Sequence, residues 1–328
     1  ITKKFFLIKN SIRLLPIKPN PPVTITFCII FFTIIVSLSI LFYYMEFIND
    51  NITFIIVTFK SNKVIFDCLD SLPEQVPKII VENSSDIELK KKIEQNYDNT
   101  KVVLSSNIGM GPGNNLGIKK CNTKYAYILN PDTKFHHDTF AQLNNSIKEL
   151  NDFGILSPVS DNEDFPNYKR KNNSNITDNI FDVEEVDGYS MIINKEKFNN
   201  KFFDENFFMY LENNDLCLRC KKMGEKIFIV NNSKISHLGA KAVDSKYSHE
   251  VELSRNWHWM WSKFYFNKKY KGFFFALIFS FPNLIFTLLK FIFYFIFFKS
   301  KKNIYKMRLF GLLNSIVGKK AWYRPNIN

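Results

Sequence analysis

The chain has 328 residues, 46% of them hydrophobic, which is enough for one large or two modest domains with a substantial core. The net charge of +13 sits at the ends: residues 253–328 carry 14 Lys/Arg and residues 1–45 carry 5, neither with an acid, while the middle has 25 basic against 31 acidic residues. A basic tail on an acidic body points to a membrane surface with anionic lipid more than to nucleic acid, and no nucleic-acid partner is expected. Five scattered cysteines (Cys28, Cys68, Cys121, Cys217, Cys220) fit a reducing compartment, and Cys217 and Cys220 have no second pair at zinc spacing.

Residues 22–44 contain an uncharged run long enough to cross a bilayer, preceded by five basic residues. From residue 52 strand and helix patterns alternate: strands at 52–58, 78–81, 102–105 and 125–129, with helical segments at 64–72, 89–97 and 114–120 between them. This alternation predicts an α/β sandwich with a mainly parallel sheet and right-handed crossovers.

Open parallel sheets bind ligands outside the carboxyl ends of their strands, so the loops there carry the interest. The first is T-F-K-S-N from Thr58. The second, Glu82-Asn83-Ser84-Ser85-Asp86, offers groups that can pair with a base or ribose. The third, N-I-G-M-G-P-G-N-N-L-G over 107–117, holds Asn107, Gly109 and Asn115; its glycines permit close backbone approach, and Asn114 can cap the following helix. It follows the third strand, so it is not a dinucleotide fingerprint. In the fourth, Pro131 ends a strand at Asn130 and leaves Asp132 in the loop, where a carboxylate can hold a hard cation against phosphate oxygens. Taken singly, each loop also reads as a plain turn.

A helix is predicted over 137–150 and a strand over 154–157, followed by a mobile polar loop over 160–179 and a strand from Asp187 to Asn194. In M-Y-L-E-N-N-D-L-C-L-R, Glu212 and Asp215 are three apart and share a helix face near an N-terminus. They are either solvated acids or a pair of which one accepts a proton from an attacking hydroxyl. Arg219 suits a phosphate or an i,i+4 bridge to Asp215. A strand over 227–230 precedes S-H-L-G, which contains His237. After residue 252 the character changes. Trp257, Trp259 and Trp261 suit a headgroup boundary, and the apolar run 273–298, interrupted by Pro282 and Lys290, suits an interfacial or re-entrant helix. Lys299, Lys301, Lys302, Lys306 and Arg308 suit anionic lipid.

The motifs I-I-V-T-F, V-E-N-S-S-D, N-I-G-M-G-P-G-N-N-L-G and L-N-P-D-T, in that order and spacing, resemble those of glycosyltransferase family 2, in particular its rhamnosyltransferase-like branch, over residues 52–242. The resemblance implies a GT-A-like fold and an inverting transfer of a sugar, rhamnose by the branch, from a nucleotide-diphosphate donor to a hydroxyl of a lipid-linked or cell-surface saccharide. It implies a divalent cation, Mg2+ or Mn2+, on Asp132 and His237, and a donor site drawn from Thr58, Glu82, Asn83, Asn107, Gly109, Asn115, Asn130, Asp132 and Arg219. Glu82 stands where the family usually has Asp. Asn213 stands where many relatives have the catalytic acid, so the base falls to Glu212 or Asp215, with Glu212 preferred, or the chain is a catalytically silent membrane-bound relative. A nucleotide donor requires a cytoplasmic catalytic domain, whereas the basic residues before residues 22–44 would place that domain outside. We therefore expect residues 1–45 to be an anchor or upstream of a true start at Met45, with a catalytic domain over 46–252 and a membrane-associating region over 253–328.

Overall fold

Seven consecutive buried residues form the central strand β1, Ile52–Thr58. A strand apolar on both faces needs cover on both, which sets the layered architecture. β2 (Lys78–Glu82) and β4 (Tyr125–Leu129) flank β1, and β3 (Thr100–Leu104) lies outside β2, all parallel. The crossovers contain α1 (Ile65–Ser71), α2 (Ile87–Asn96) and α3 (Met110–Lys120). This computed structural model describes residues 51–150, 152–171, 178–239, 241–297 and 301–327. The apolar run at 22–44, Cys28 and Lys299 lie outside them.

The expected α/β sandwich is present, with its parallel character concentrated in this first half. β9 (Ser190–Asn194) joins β4 and β6 (Ile155–Ser160) antiparallel, and β10 (Ile227–His237) runs parallel to β6. The full order is β3-β2-β1-β4-β9-β6-β10-β8-β7, where β8 is Ile180–Val186 and β7 is Tyr168–Arg170. β7 occupies part of the stretch read as a loop. A short β5 (Thr133–Phe135) pairs antiparallel with the end of β10. Alternation along β1 separates two cores. Ile55 belongs to one buried cluster with Ile118 of α3 and Leu216 of α5 (Glu212–Lys222). Its neighbour Phe54 stacks among Tyr127, Phe135 and Phe140, the last from α4 (Thr139–Leu150).

The C-terminal region is three helices, α6 (Ser248–Lys271), α7 (Phe273–Phe297) and α8 (Lys302–Ile316). Trp257 and Trp261 are one helical turn apart on α6 and are buried with Phe208 and Ala321, so they belong to the core and not to a headgroup boundary. Trp259, on the opposite side, is exposed. α8 crosses α6 closely: a Cβ on Gly311 would collide with the Trp257 carbonyl oxygen. α7 continues through Pro282 without interruption and is long and apolar enough to cross a membrane, with Phe274, Ile278 and Phe297 exposed. That surface is consistent with membrane association.

Candidate active site

The carboxyl ends of β1, β2 and β4 open into a cleft of about 690 Å³ lined by Val57, Asn83 and the Asn130-Pro131-Asp132 turn. Four buried side-chain atoms on residues lining this cleft have no hydrogen-bond partner: Asn114 Oδ1, Asp132 Oδ1, Glu212 Oε2 and Ser254 Oγ. Buried polar atoms are nearly always paired, so such a concentration is characteristic of a ligand-binding surface.

Asp132 and His237 meet because β10 runs well past Val230, through N-N-S-K, and pairs His237 with Thr133. Leu238 N–H donates to the Asp132 carbonyl at 3.0 Å and fixes this register. The Asp132 carboxylate is 2% exposed as a residue; Oδ2 accepts from Lys241 N–H at 3.3 Å, and Oδ1 lies 3.3 Å from His237 Nε2. That last pair has the spacing of an ion pair without hydrogen-bond alignment, so Oδ1 keeps its capacity for another partner. The His237 ring stacks on Tyr189 at 4.1 Å. Burial raises the nearby Asp187 carboxyl above its ordinary range, with His237 acting in the opposite direction. Among the described residues no group of three or more His, Cys, Asp or Glu converges as a metal cluster.

The opposite wall begins at α5. Tyr210 (φ 69°) and Leu211 (φ 67°) both adopt the left-handed conformation, which is strained for side chains of this size and clusters at functional sites. The double turn starts α5 at Glu212, which lines the cleft. Burial pushes the Glu212 carboxyl up to about 7. Asn213 also lines the cleft, but its amide donates to the Val186 carbonyl at 3.1 Å.

The third wall is the glycine-rich approach to α3. The helix starts at Met110, four residues before the sequence suggested, so Asn114 lies inside it and not at its cap. Gly109 (φ 103°) makes the turn, where a Cβ would collide with the Phe208 carbonyl oxygen, and Met110 N–H donates to that same oxygen at 2.8 Å. Asn83 ties β2 to this loop, donating to the Gly109 carbonyl at 3.1 Å and accepting from Ile108 N–H at 3.2 Å.

Five expected site residues do not line this cleft. Thr58 is fully buried at the end of β1. The Glu82 carboxylate is consumed by its own loop, accepting from Ser84 Oγ at 2.6 Å and from Asp86 N–H at 2.5 Å. Asn115 holds the Phe203 backbone, donating to its carbonyl at 2.8 Å and accepting its N–H at 2.9 Å. Asp215 faces α6: it accepts from Lys269 Nζ at 2.5 Å, Tyr270 Oη at 2.7 Å and Arg219 Nε at 2.9 Å. Arg219 forms the i,i+4 bridge and spends its remaining donors on the Lys201 and Phe202 carbonyls. Asn83, Asn107, Gly109, Asn130, Asp132, Glu212 and His237 are brought together.

Residues that the sequence did not mark as site residues also enter. Asn114 and, from α6, Ser254, Arg255 and Trp259 line the cleft. At the C-terminal end Pro325 lines it too, while Arg324 lies 3.7 Å over the Phe208 ring and donates to the Asn107 carbonyl at 2.9 Å. Burial lowers the Arg324 guanidinium to about 10. No local pattern signals these contacts, because they depend on the C-terminal chain returning over the glycine loop.

A sequence model described as Glycosyl transferase family 2 matches residues 53–216, half of the chain. Among curated proteins, the Low-salt glycan biosynthesis hexosyltransferase Agl10 of Haloferax volcanii is 25% identical over 194 residues, covering 53% of this chain and 62% of that protein. The chain thus spans less than two thirds of that relative. Among solved structures, S. aureus TarS 1-349 in complex with UDP aligns at a TM-score of 0.46 and 14% identity over 62% of this chain and 63% of that one. GalNAc-T7 with UDP, GalNAc and Mn2+ aligns at 0.48 and 14% over 57% and 43%. The family match covers β1 through the first turns of α5, which supply most of the cleft, and on that match the chain belongs to glycosyl transferase family 2.

Proposed function

We propose that this protein is an inverting glycosyltransferase that moves a hexose-class sugar from a nucleotide-diphosphate donor to a hydroxyl of a saccharide acceptor. The observation that carries the reading is the pair of unpartnered buried carboxylate oxygens, Asp132 Oδ1 and Glu212 Oε2, on residues lining one cleft. They divide the work: one carboxylate sits beside a His, the other is a carboxyl whose burial brings it near neutral pH.

Asp132 and His237 fit a divalent cation: Asp132 Oδ1 is buried without a hydrogen-bond partner and lies 3.3 Å from His237 Nε2, so these two residues would hold it. Bound there, Mg2+ or Mn2+ would neutralise charge on the leaving diphosphate. The acceptor O–H gives its proton to Glu212 as its oxygen bonds to the anomeric carbon. The bond from that carbon to the diphosphate oxygen breaks, and the nucleoside diphosphate leaves with the electron pair. Asn83, Asn107, Gly109, Asn114 and Asn130 shape the donor side. Attack from the face opposite the leaving group gives inversion. Rhamnose, from the branch resembled, is the first sugar to test. A lipid-linked acceptor at the cytoplasmic membrane face suits the exposed apolar α7 and the basic C-terminal region.

The test is release of nucleoside diphosphate from a panel of nucleotide sugars with lipid-linked and soluble saccharide acceptors, in wild type and Glu212→Gln. Acceptor-dependent release from one donor, lost in Glu212→Gln, is expected. Binding of a donor without any turnover, and recovery of turnover in Asn213→Asp, would establish the silent reading instead.

A further inference from the structure

A second chamber of about 760 Å³ adjoins the cleft and shares Tyr210, Val243, Val251, Arg255 and Trp259 with it. Its chemistry differs. None of Asp132, Glu212 or His237 lines it, whereas Lys63 and Lys241 line this chamber and not the cleft. Lys63 is engaged, with Nζ 3.1 Å from Asp244 Oδ1. Arg255 is half-buried at the boundary between the two spaces and has no hydrogen bond or ion pair with any described residue. Glu252, one turn earlier on α6, is exposed and does not pair with it.

A partly buried guanidinium without a carboxylate partner is costly until an anion reaches it. Its planar fork matches two oxygens of one phosphate, which a point charge such as Lys does less well. Two further groups on α6 accompany it. Trp259, one turn on and 39% exposed, packs perpendicular to Tyr210 at 5.5 Å and offers exposed aromatic surface for the apolar side of a sugar ring. Ser254, 2% exposed and lining the cleft, keeps Oγ without a partner. α6 then runs through Gly272 into the apolar α7.

We infer that this chamber is an acceptor subsite for a saccharide carrying a phosphate or diphosphate group, with Arg255 holding the phosphate and Trp259 the adjoining sugar. This rests on the glycosyl-transfer reading above. The donor diphosphate is the other phosphate within reach of Arg255. The position of Lys241 in the chamber, with no ion-pair partner for its amine among the described residues, favours the acceptor.

The full chain in detergent with Mn2+ present is titrated with farnesyl diphosphate, with farnesol, and with UDP, GDP and dTDP, in wild type, Arg255→Gln and Lys241→Gln, each checked for folding by thermal melting. Wild type is expected to prefer farnesyl diphosphate to farnesol by about tenfold or more, the scale of a charge-assisted hydrogen-bonded contact. Arg255→Gln should erase that preference while any nucleoside diphosphate that binds wild type keeps its affinity to within about twofold. Lys241→Gln should reduce the preference in part, which keeps the test decisive if the arginine variant does not fold. An unchanged preference in the folded variants, or none in wild type, overturns the subsite. So does a parallel loss of nucleoside diphosphate affinity, which would assign Arg255 to the donor. If farnesyl diphosphate binds through Arg255 and no nucleoside diphosphate binds at all, the subsite stands and the glycosyl-transfer reading fails.

Discussion

Replacing Glu212 by Gln preserves the side chain's shape and removes its charge, and the burial of Glu212 gives that change opposite effects on stability and on activity. Burial raises this carboxyl from 4.5 to about 7. That gap corresponds to about 3 kcal/mol between the two protonation states. Because the folded chain holds the proton more tightly than the unfolded one, the stabilising contribution is complete below about pH 4.5 and is lost as pH rises through about 7. Above that, wild type carries a buried carboxylate whose Oε2 has no partner, and Glu212→Gln does not. The variant should therefore match wild type in urea denaturation near pH 4.5 and exceed it by about 3 kcal/mol at pH 8. Activity should move the opposite way. Wild-type turnover should rise with pH and level off above about 7, as a general base ionises. Glu212→Gln should lose about a hundredfold to ten-thousandfold in turnover at every pH. A stability difference that does not change with pH, or a variant that retains its turnover, would refute the assignment.

Asp215 should behave otherwise. Asp215→Asn leaves Lys269 and Arg219 without their buried partner and should cost on the order of 3 kcal/mol in chemical denaturation, while the pH profile of the remaining activity keeps its wild-type form. Gly109→Ala forces a Cβ into the Phe208 carbonyl oxygen at φ 103°, so nucleoside diphosphate affinity should fall and stability should drop by about 1–3 kcal/mol. Trp257→Ala should cost about 3–5 kcal/mol in urea melts and leave vesicle binding unchanged, because the ring is 1% exposed inside the α6–α8 core; a neutral substitution would return Trp257 to a lipid-facing role.

Features encoded locally were the ones legible in the sequence. β1 and β4 are legible because a strand buried on both faces is a continuous apolar run, and Pro131 marks where the second of them stops. Asp132 is legible for the same reason. β10 is not: beyond Val230 it is mostly polar, and pairing with β6 past a register shift, then with β5, extends it to carry His237 to Asp132. The spacing of Glu212 and Asp215 fixes a shared helix face but cannot say which neighbours that face meets; Lys269 and Tyr270, distant in sequence, claim Asp215 for α6. The tryptophans mislead by composition. Residues two apart on a helix point to opposite sides, so Trp257 and Trp261 enter the core and Trp259 reaches the cleft. Glu82 looked like a base contact because an acid belongs there in the resembled motif, whereas the loop amides that consume it arise from the turn geometry. Arg324 had no local signal at all.

We propose that Asp132 and His237 would hold a divalent cation for a nucleotide-diphosphate sugar in this cleft. It is tested most directly by thermal stability against a panel of nucleotide sugars, with and without Mn2+, in wild type and Asp132→Ala. A donor at a hundred times its dissociation constant should stabilise wild type by about 2.7 kcal/mol. One donor is expected to do so, only with the metal and only with Asp132 intact. Equal stabilisation without metal or in Asp132→Ala would contradict it, as would no stabilisation by any donor.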